Sequence, residues 1–206
     1  MSEPNAITQV LDLFDREGVE SVLVGGAAVI LHGSAYVTED VDVCCRRDPD
    51  NMVRIARAIN AVAPRLRVEG IVEGVPTRVD VHTLRADEAF AFITTIGNID
   101  IRFSIDGIGD YAKVATLSEA ARIGDRTFQV LSLSGIIQSK SFLRRPRDLQ
   151  VLPELEMMRE AKAIRESAEP GRDAAPEETG LQPPNRDSQN DGGTGNQHRQ
   201  RRRPRR

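Results

Sequence analysis

The chain has 206 residues, enough for one domain with a sizeable hydrophobic core, and its formal net charge is −3. Residues 167–206 hold eight arginines and six acids, so the rest carries about −5, which argues against broad binding of duplex nucleic acid. The adjacent Cys44 and Cys45 do not have the spacing of a disulfide framework or of metal ligands. No apolar run reaches membrane-spanning length. Because no signal peptide is apparent either, we expect a soluble protein in the reducing cytoplasm.

The N-terminal part predicts a helix, a strand, a glycine turn and a second, short helix. Apolar residues recur at helical spacing in residues 5–17, and Gly18 favours a helix end. A buried strand over residues 21–24 is predicted to end at Gly25 and Gly26. Paired glycines let the backbone approach a ligand closely, and the first turn of a following helix directs unpaired N–H groups at phosphate.

Two carboxylates mark the next predicted strand, which runs from Val41 to Cys45. Asp40 and Asp42 share one face because side chains alternate along a strand. Two carboxylates about 6.5–7 Å apart along a strand can hold one Mg²⁺ or flank two, together with substrate phosphate oxygens. The competing interpretation is a pair of strand-edge acids facing water, but acids are disfavoured inside strands.

Two polar residues between the turn and the acid strand have competing interpretations. A hydroxyl such as that of Ser34 could contact phosphate from its loop, or could bond the local backbone. Similarly, His32 could serve as a base, or could cap the C-terminus of the short helix.

A third acid is needed to complete a metal site, and two residues compete for this role. Asp100 lies in a predicted strand over residues 99–105, which forms a hairpin with residues 90–95 about Gly97 and Asn98. The alternative is Asp80, between two valines, although the nearby Pro76 weighs against a regular strand there. We favour Asp100.

The C-terminal third contains cationic residues beside a predicted helix. A hairpin over residues 120–131 precedes a helix that begins at Ser132 or Ser134 and runs through Arg145. Lys140 and Arg144 are four residues apart and share a helical face, which is either solvated or a cationic clamp for a triphosphate.

A last helix over residues 148–166 is predicted to kink or restart at Pro153. From Ser167 onward, the composition predicts a disordered tail ending in HRQRRRPRR, which either binds a polyanion such as RNA or only aids solubility. We therefore divide the chain into a domain over residues 1–166 and a tail over residues 167–206.

The pattern of a hydrophobic strand, Gly-Gly, a short helix and Asp-x-Asp on a strand resembles the nucleotidyltransferase fold of the DNA polymerase β superfamily. Residues 25–43, GGAAVILHGSAYVTEDVDV, are similar to the small bacterial nucleotidyltransferases grouped with AbiEii-type toxins. The third acid of that family fits Ile99-Asp100-Ile101. Its late Lys, Arg and Arg/Lys-Asp pattern fits Lys140, Arg144 or Arg145, and Arg147-Asp148. The resemblance covers roughly residues 5–160.

The resemblance implies an α+β fold, with a nucleotidyltransferase-like mixed sheet flanked by helices and a C-terminal helical segment. It also implies an Mg²⁺- or Mn²⁺-dependent transferase, which binds a nucleoside triphosphate such as ATP. This enzyme would move a nucleoside monophosphate to an RNA or protein hydroxyl, as the toxin of a toxin–antitoxin pair with an antitoxin partner. The expected metal and catalytic ligands are Asp40, Asp42 and Asp100. The expected nucleotide-binding residues are Gly25, Gly26, Ser34, Lys140 and Arg144.

Two other functions are compatible with the sequence. The first is a noncatalytic module of the same fold, which would bind a nucleotide or a protein partner. The second is a structural or nucleic-acid-tethering protein that depends on the arginine-rich tail.

Overall fold

The computed structural model describes residues 5–168 of the chain. Within this range the helices are α1 (Ala6–Glu17), α2 (Gly25–Leu31), α3 (Pro49–Asn60), α4 (Val81–Arg85), α5 (Tyr111–Thr116), α6 (Leu133–Leu143) and α7 (Pro146–Ala168). The strands are β1 (Ser21–Leu23), β2 (Asp40–Cys45), β3 (Arg65–Val68), β4 (Ile71–Pro76), β5 (Ala89–Thr94), β6 (Gly97–Arg102), β7 (Ser104–Ile105), β8 (Gly109–Asp110), β9 (Ser118–Ile123) and β10 (Arg126–Leu131). The predicted α+β class is confirmed.

Eight of the described strands form one mixed sheet in the order β4-β3-β5-β6-β2-β1-β10-β9. The pairs β1–β10 and β2–β6 are parallel, whereas the other neighbours in this sheet are antiparallel. In β2 and β6 buried apolar residues alternate with half-buried polar ones, so one face of each strand packs into the core while the other carries the acids. The two carboxylate-bearing strands, β2 and β6, are therefore adjacent and run in the same direction.

Side-chain caps define where several helices begin and end. The Asn5 side chain accepts a hydrogen bond from the Thr8 N–H at the start of α1, and Gly18 ends this helix in the left-handed conformation at φ 69°. The Asp48 side chain caps α3 by accepting a hydrogen bond from the Asn51 N–H, and Pro49 occupies the first turn. Of the two serines considered for α6, Ser132 is the cap.

The hydrophobic core is built from the sheet and the apolar faces of the helices packed against it. Fully buried side chains include Phe14 of α1, Ile55 of α3, Phe92 of β5 and Leu155 of α7. Burying one such side chain contributes about 1.5–3 kcal/mol relative to leaving it in water. The buried Leu155 shows that α7 is part of this core, and α7 packs against α6.

The strand predicted over residues 99–105 is in fact divided. β6 ends at Arg102, and residues 104–105 pair with residues 109–110 in a separate two-stranded sheet. A turn at Gly107, with φ 79°, reverses the chain between these short strands. The hairpin between β5 and β6 also turns two residues earlier than predicted, since Thr94 pairs with Gly97 across residues 95–96.

The observed boundaries of α2 and α7 also differ from the predicted ones. The glycine pair at 25–26 opens α2, rather than forming a separate turn before it. α7 continues through Pro153 as one helix, contrary to the predicted restart. Proline removes the hydrogen bond to the carbonyl four residues earlier, that of Leu149, without ending the helix. The helix extends to Ala168, past the predicted end of the domain, and the predicted disordered tail otherwise lies outside the described residues.

No helix within residues 5–168 combines the length and the apolar character needed to cross a membrane.

Candidate active site

The three predicted metal ligands lie next to one another on the sheet. Asp42 of β2 pairs directly with Asp100 of β6, and Asp40 pairs with Asn98. Neighbouring strands are about 4.8 Å apart, and residues two positions apart on a strand point to the same face. The parallel pairing of β2 with β6 is therefore what brings Asp100 into one cavity with Asp40 and Asp42.

The cavity has a volume of about 640 Å³. Its polar lining combines the three acids with a glycine pair and several cations. These residues are Gly25, Gly26, Asp40, Asp42, Asp100, Arg102, Lys140, Arg145 and Arg147.

Both glycines are required by close packing around the acids. Gly25 has φ 62°, and a Cβ atom at this position would lie 2.3 Å from Oδ2 of Asp42. A Cβ at Gly26 would lie 2.8 Å from the Tyr36 ring and 2.9 Å from Cβ of Thr38. The Asp42 carboxylate therefore lies directly against the start of α2, where backbone N–H groups lack intrahelical partners.

Two arginines pair with the acid cluster. Nη2 of Arg67 donates to Oδ1 of Asp40 at 2.7 Å, and Nη1 of Arg67 lies 3.9 Å from Oδ1 of Asp100. Nε of Arg102 lies 3.7 Å from Oδ1 of Asp42. Although Arg102 is two residues from Asp100 on β6, its ion pair is with the acid of the neighbouring strand.

The sequence around Arg67 indicates no role for this residue at the site. It lies on β3, and β5 separates this strand from β6. Only the strand order shows that a side chain from β3 can reach the acids on β2 and β6. No local motif carries this signal.

Burial and mutual repulsion raise the pKa values of two of the acids. For Asp42, burial is the largest cause and the charge of Asp100 the second, and together they raise the pKa to about 6 although Arg102 lowers it. The pKa of Asp100 is also raised, mainly by burial and then by the charge of Asp40. Within the described chain, Oδ1 of Asp100 is buried and accepts no hydrogen bond.

These acids provide the donor chemistry of a magnesium site. Mg²⁺ binds through one or two carboxylates together with water and substrate phosphates, and the carboxylate of Asp100, whose Oδ1 accepts no hydrogen bond, is an available ligand. As the side chains stand, no group of three or more His, Cys, Asp and Glu residues within 5–168 is arranged to hold a metal ion. Asp40 and Asp42 are instead turned toward Arg67 and Arg102.

The cationic side of the cavity is centred on Lys140 rather than on a Lys140–Arg144 pair. Nζ of Lys140 donates to Oδ1 of Asp148 at 2.9 Å and lies 5.8 Å from the centre of the Tyr36 ring. Arg144 is the C-cap of α6 with φ 51°, so it does not continue the helical face of Lys140. Arg145, the other arginine that fits the family pattern, is the one that lines the cavity.

The remaining candidates have structural partners. The hydroxyl of Ser34 is buried and donates to Oε1 of Glu154 at 2.6 Å, so the structure does not direct it at the phosphate position. His32 is the C-cap of α2 as expected, and its Nε2 lies 2.8 Å from the Leu131 carbonyl oxygen. Asp80 caps α4 by accepting a hydrogen bond from the Thr83 N–H, which excludes it from the acid cluster.

A second cavity adjoins the first. It has a volume of about 660 Å³ and shares Tyr36, Thr38, Asp40 and Arg147 with its neighbour. Glu39 and Glu154 also line it. Asp40 therefore lines both cavities.

Comparison with known proteins finds a likeness only among solved structures. The lincosamide antibiotic adenylyltransferase LnuA, bound to lincomycin, is 14% identical over 74% of this chain and 96% of its own, with a TM-score of 0.48. The antibiotic-resistance factor ANT(2'')-Ia is 14% identical over 79% of this chain and 92% of its own, with a TM-score of 0.47. An antigenic nucleotidyltransferase-like protein from Paracoccidioides brasiliensis is 15% identical over 72% of each chain, with a TM-score of 0.45.

No family model and no curated protein matches the chain. Two of the three structures carry names from the nucleotidyltransferase class that the sequence resembles. At these TM-scores the likeness carries no functional argument, and membership of the AbiEii-type group stays a prediction.

Proposed function

We propose that this protein is an Mg²⁺- or Mn²⁺-dependent nucleotidyltransferase, which moves a nucleoside monophosphate from a nucleoside triphosphate to a hydroxyl group. The observation that carries the proposal is the position of Asp42 between Asp100 and Gly25. Carboxylates for a cation and backbone N–H groups for a phosphate lie side by side in one cavity.

The donor triphosphate fits the cavity that contains Gly25 and Gly26. The N–H groups in the first turn of α2 would bind phosphate oxygens, and Arg145 would neutralise the pyrophosphate as it leaves. Lys140 adds positive charge on the same side, although Asp148 already binds its ammonium group. When bound by Asp40, Asp42 and Asp100, Mg²⁺ supplies Lewis-acid polarisation of the phosphoryl group.

The reaction breaks the bond between the α-phosphorus and its bridging oxygen, and it forms a bond from the acceptor oxygen to the same phosphorus. The acceptor hydroxyl loses its proton, and we propose Asp100 as the base that takes it because its Oδ1 has no hydrogen-bond partner in the described chain. The raised pKa of Asp100 favours proton acceptance. Pyrophosphate is the leaving group.

The cavity shared by Tyr36, Thr38 and Asp40 is the natural acceptor side. We propose an RNA or protein hydroxyl as the acceptor, and an antitoxin protein as the partner in a toxin–antitoxin pair. This part of the proposal is supported by the sequence resemblance to AbiEii-type toxins. The arginine-rich residues 198–206 would supply weak, salt-dependent affinity for RNA.

The test is the transfer of label from each of the four nucleoside triphosphates, labelled at the α-phosphate, to total RNA and total protein. We expect transfer with Mg²⁺ or Mn²⁺, and its loss with EDTA and in Asp42→Asn. Asp80→Asn is the matched control, because it removes a carboxylate that caps a helix outside the cluster. If the purified chain neither transfers label nor binds Mg-nucleotide, the enzymatic proposal fails.

A noncatalytic nucleotide- or partner-binding module of the same fold is the second candidate. The pairing of Asp40 with Arg67 and of Asp42 with Arg102 favours it, because both acids have protein counter-ions as they stand. Saturable binding of Mg-nucleotide without transfer to any acceptor would support this function.

A further inference from the structure

Arg67 reaches the acid cluster from a distant part of the sheet. It extends from β3 past β5, where Ala91 pairs with Asp100. Arg67, Ala91 and Asp100 together line a depression of about 350 Å³ on the sheet surface. The alanine leaves room for a long side chain to pass over the intervening strand.

The Arg67 guanidinium lies between two acids from different strands. One nitrogen donates to Asp40 at 2.7 Å, and another lies 3.9 Å from Asp100. A divalent cation bound by these acids would use the same carboxylate oxygens. Guanidinium and metal ion therefore compete, because two cations placed against the same carboxylates repel each other.

The Arg67 side chain is exposed enough to move away from the acids. It is 36% exposed, and its strand lies beside the edge strand β4. Ion pairs at such exposed positions are weak because water screens them. By contrast, its partner Asp100 is mostly buried, with 16% of its side chain exposed. A cation arriving at the cluster could displace the arginine without unfolding the site.

We propose that Arg67 is an internal counter-ion that occupies the acid cluster until a divalent cation displaces it. This inference rests on the proposed function, because it concerns the same three acids. Arg67 then sets the metal affinity of the nucleotide-free protein. Without it, Asp40 and Asp100 have no neutralising partner from β3, and the cluster attracts a dication more strongly.

The experiment is a titration of the full-length, EDTA-stripped protein with Mn²⁺ in the absence of nucleotide, followed by calorimetry and by the paramagnetic resonance signal of free Mn²⁺. The wild type is compared with Arg67→Ala, Arg67→Lys and Arg65→Ala. Arg65 is the matched control because it is on the same strand, is 38% exposed, and donates to backbone carbonyls of the β4 hairpin.

We expect Arg67→Ala to lower the Kd for Mn²⁺ by about tenfold, whereas Arg65→Ala changes it by about twofold at most through net charge alone. The Kd of Arg67→Lys for Mn²⁺ should fall between those of the wild type and Arg67→Ala, because an ammonium group cannot span two carboxylates as a guanidinium does. Adding Asp42→Asn to Arg67→Ala should remove the gain, which would place the ion at the acid cluster.

Equal effects of Arg67→Ala and Arg65→Ala would overturn the inference, as would weaker or absent Mn²⁺ binding by Arg67→Ala. A gain that survives Asp42→Asn would also overturn it, since the ion would then bind elsewhere. Because no transfer is measured, the outcome is separate from the proposed function. If Arg67→Ala binds Mn²⁺ more tightly but the wild type transfers no label, Arg67 is the counter-ion and the enzymatic proposal fails. If the wild type transfers label but Arg67→Ala binds Mn²⁺ no more tightly, the enzymatic proposal stands and the counter-ion inference fails.

Discussion

Asp42→Asn is expected to make the metal-free protein more stable at high pH. Burial, followed by the charge of Asp100, raises the pKa of Asp42 in the folded protein to about 6, against an ordinary value of 3.8. The folded state therefore holds the proton more tightly than the unfolded chain does. The corresponding stability is fully present below about pH 4 and is lost as pH rises through 6.

The size of the effect follows from the pKa shift. A shift of about two units corresponds to at most about 3 kcal/mol of stability lost on ionisation. Asparagine keeps the shape of the side chain and removes its charge, but it also leaves Arg102 without its ion-pair partner. We therefore expect a net gain of about 1–2 kcal/mol above pH 7, or a rise in Tm of about 2–8 °C for a domain of this size.

Urea unfolding in EDTA, near pH 4 and near pH 8, measures this difference directly. Asp42→Asn and wild type should differ little near pH 4 and separate near pH 8. Asp80→Asn is the control of opposite sign, because hydrogen bonds from Thr83 lower the pKa of Asp80. A loss of stability in Asp42→Asn at high pH, or a difference that does not depend on pH, would refute the reasoning.

Three further substitutions test the cavity. Gly25→Ala should abolish label transfer and lower the free energy of unfolding more than the control Gly124→Ala does. Both glycines have φ near 60°, but a Cβ at Gly25 would collide with Asp42, whereas no described atom lies within 4 Å of a Cβ at Gly124. Lys140→Met should lower the free energy of unfolding, measured in urea, by about 3 kcal/mol because it leaves the buried Asp148 carboxylate without its ion-pair partner. Adding Asp148→Leu should recover most of that loss. Ser34→Ala should lower the free energy of unfolding by about 1–2 kcal/mol, with little effect on triphosphate affinity measured by calorimetry; a large loss of affinity would restore Ser34 to the phosphate site.

Local sequence rules predicted the elements that depend on short-range chemistry. The helix end at Gly18 was predicted because a left-handed glycine satisfies backbone groups a few residues away. The face shared by Asp40 and Asp42 follows from the two-residue period of a strand. These features need no knowledge of the rest of the chain.

The predicted ends of strands and helices were wrong where contacts with distant residues decide them. The strand predicted through Ile105 breaks at Phe103, because residues 104–105 find partners in a separate short hairpin. Arg144 leaves the face of Lys140 because α6 ends in a left-handed residue before Pro146, and the sequence pattern could not distinguish this from a further helical turn.

The sequence by itself determined the chemical inventory of the site: a glycine pair, three acids flanked by apolar residues, and a late group of cations. Only the tertiary structure decided which of them meet. The parallel pairing of β2 with β6 places Asp42 opposite Asp100, and the strand order brings in Arg67 from β3. The physical reason is that alternation fixes the face of a side chain within its own strand, whereas its neighbours across the sheet depend on the order and register of strands distant in sequence.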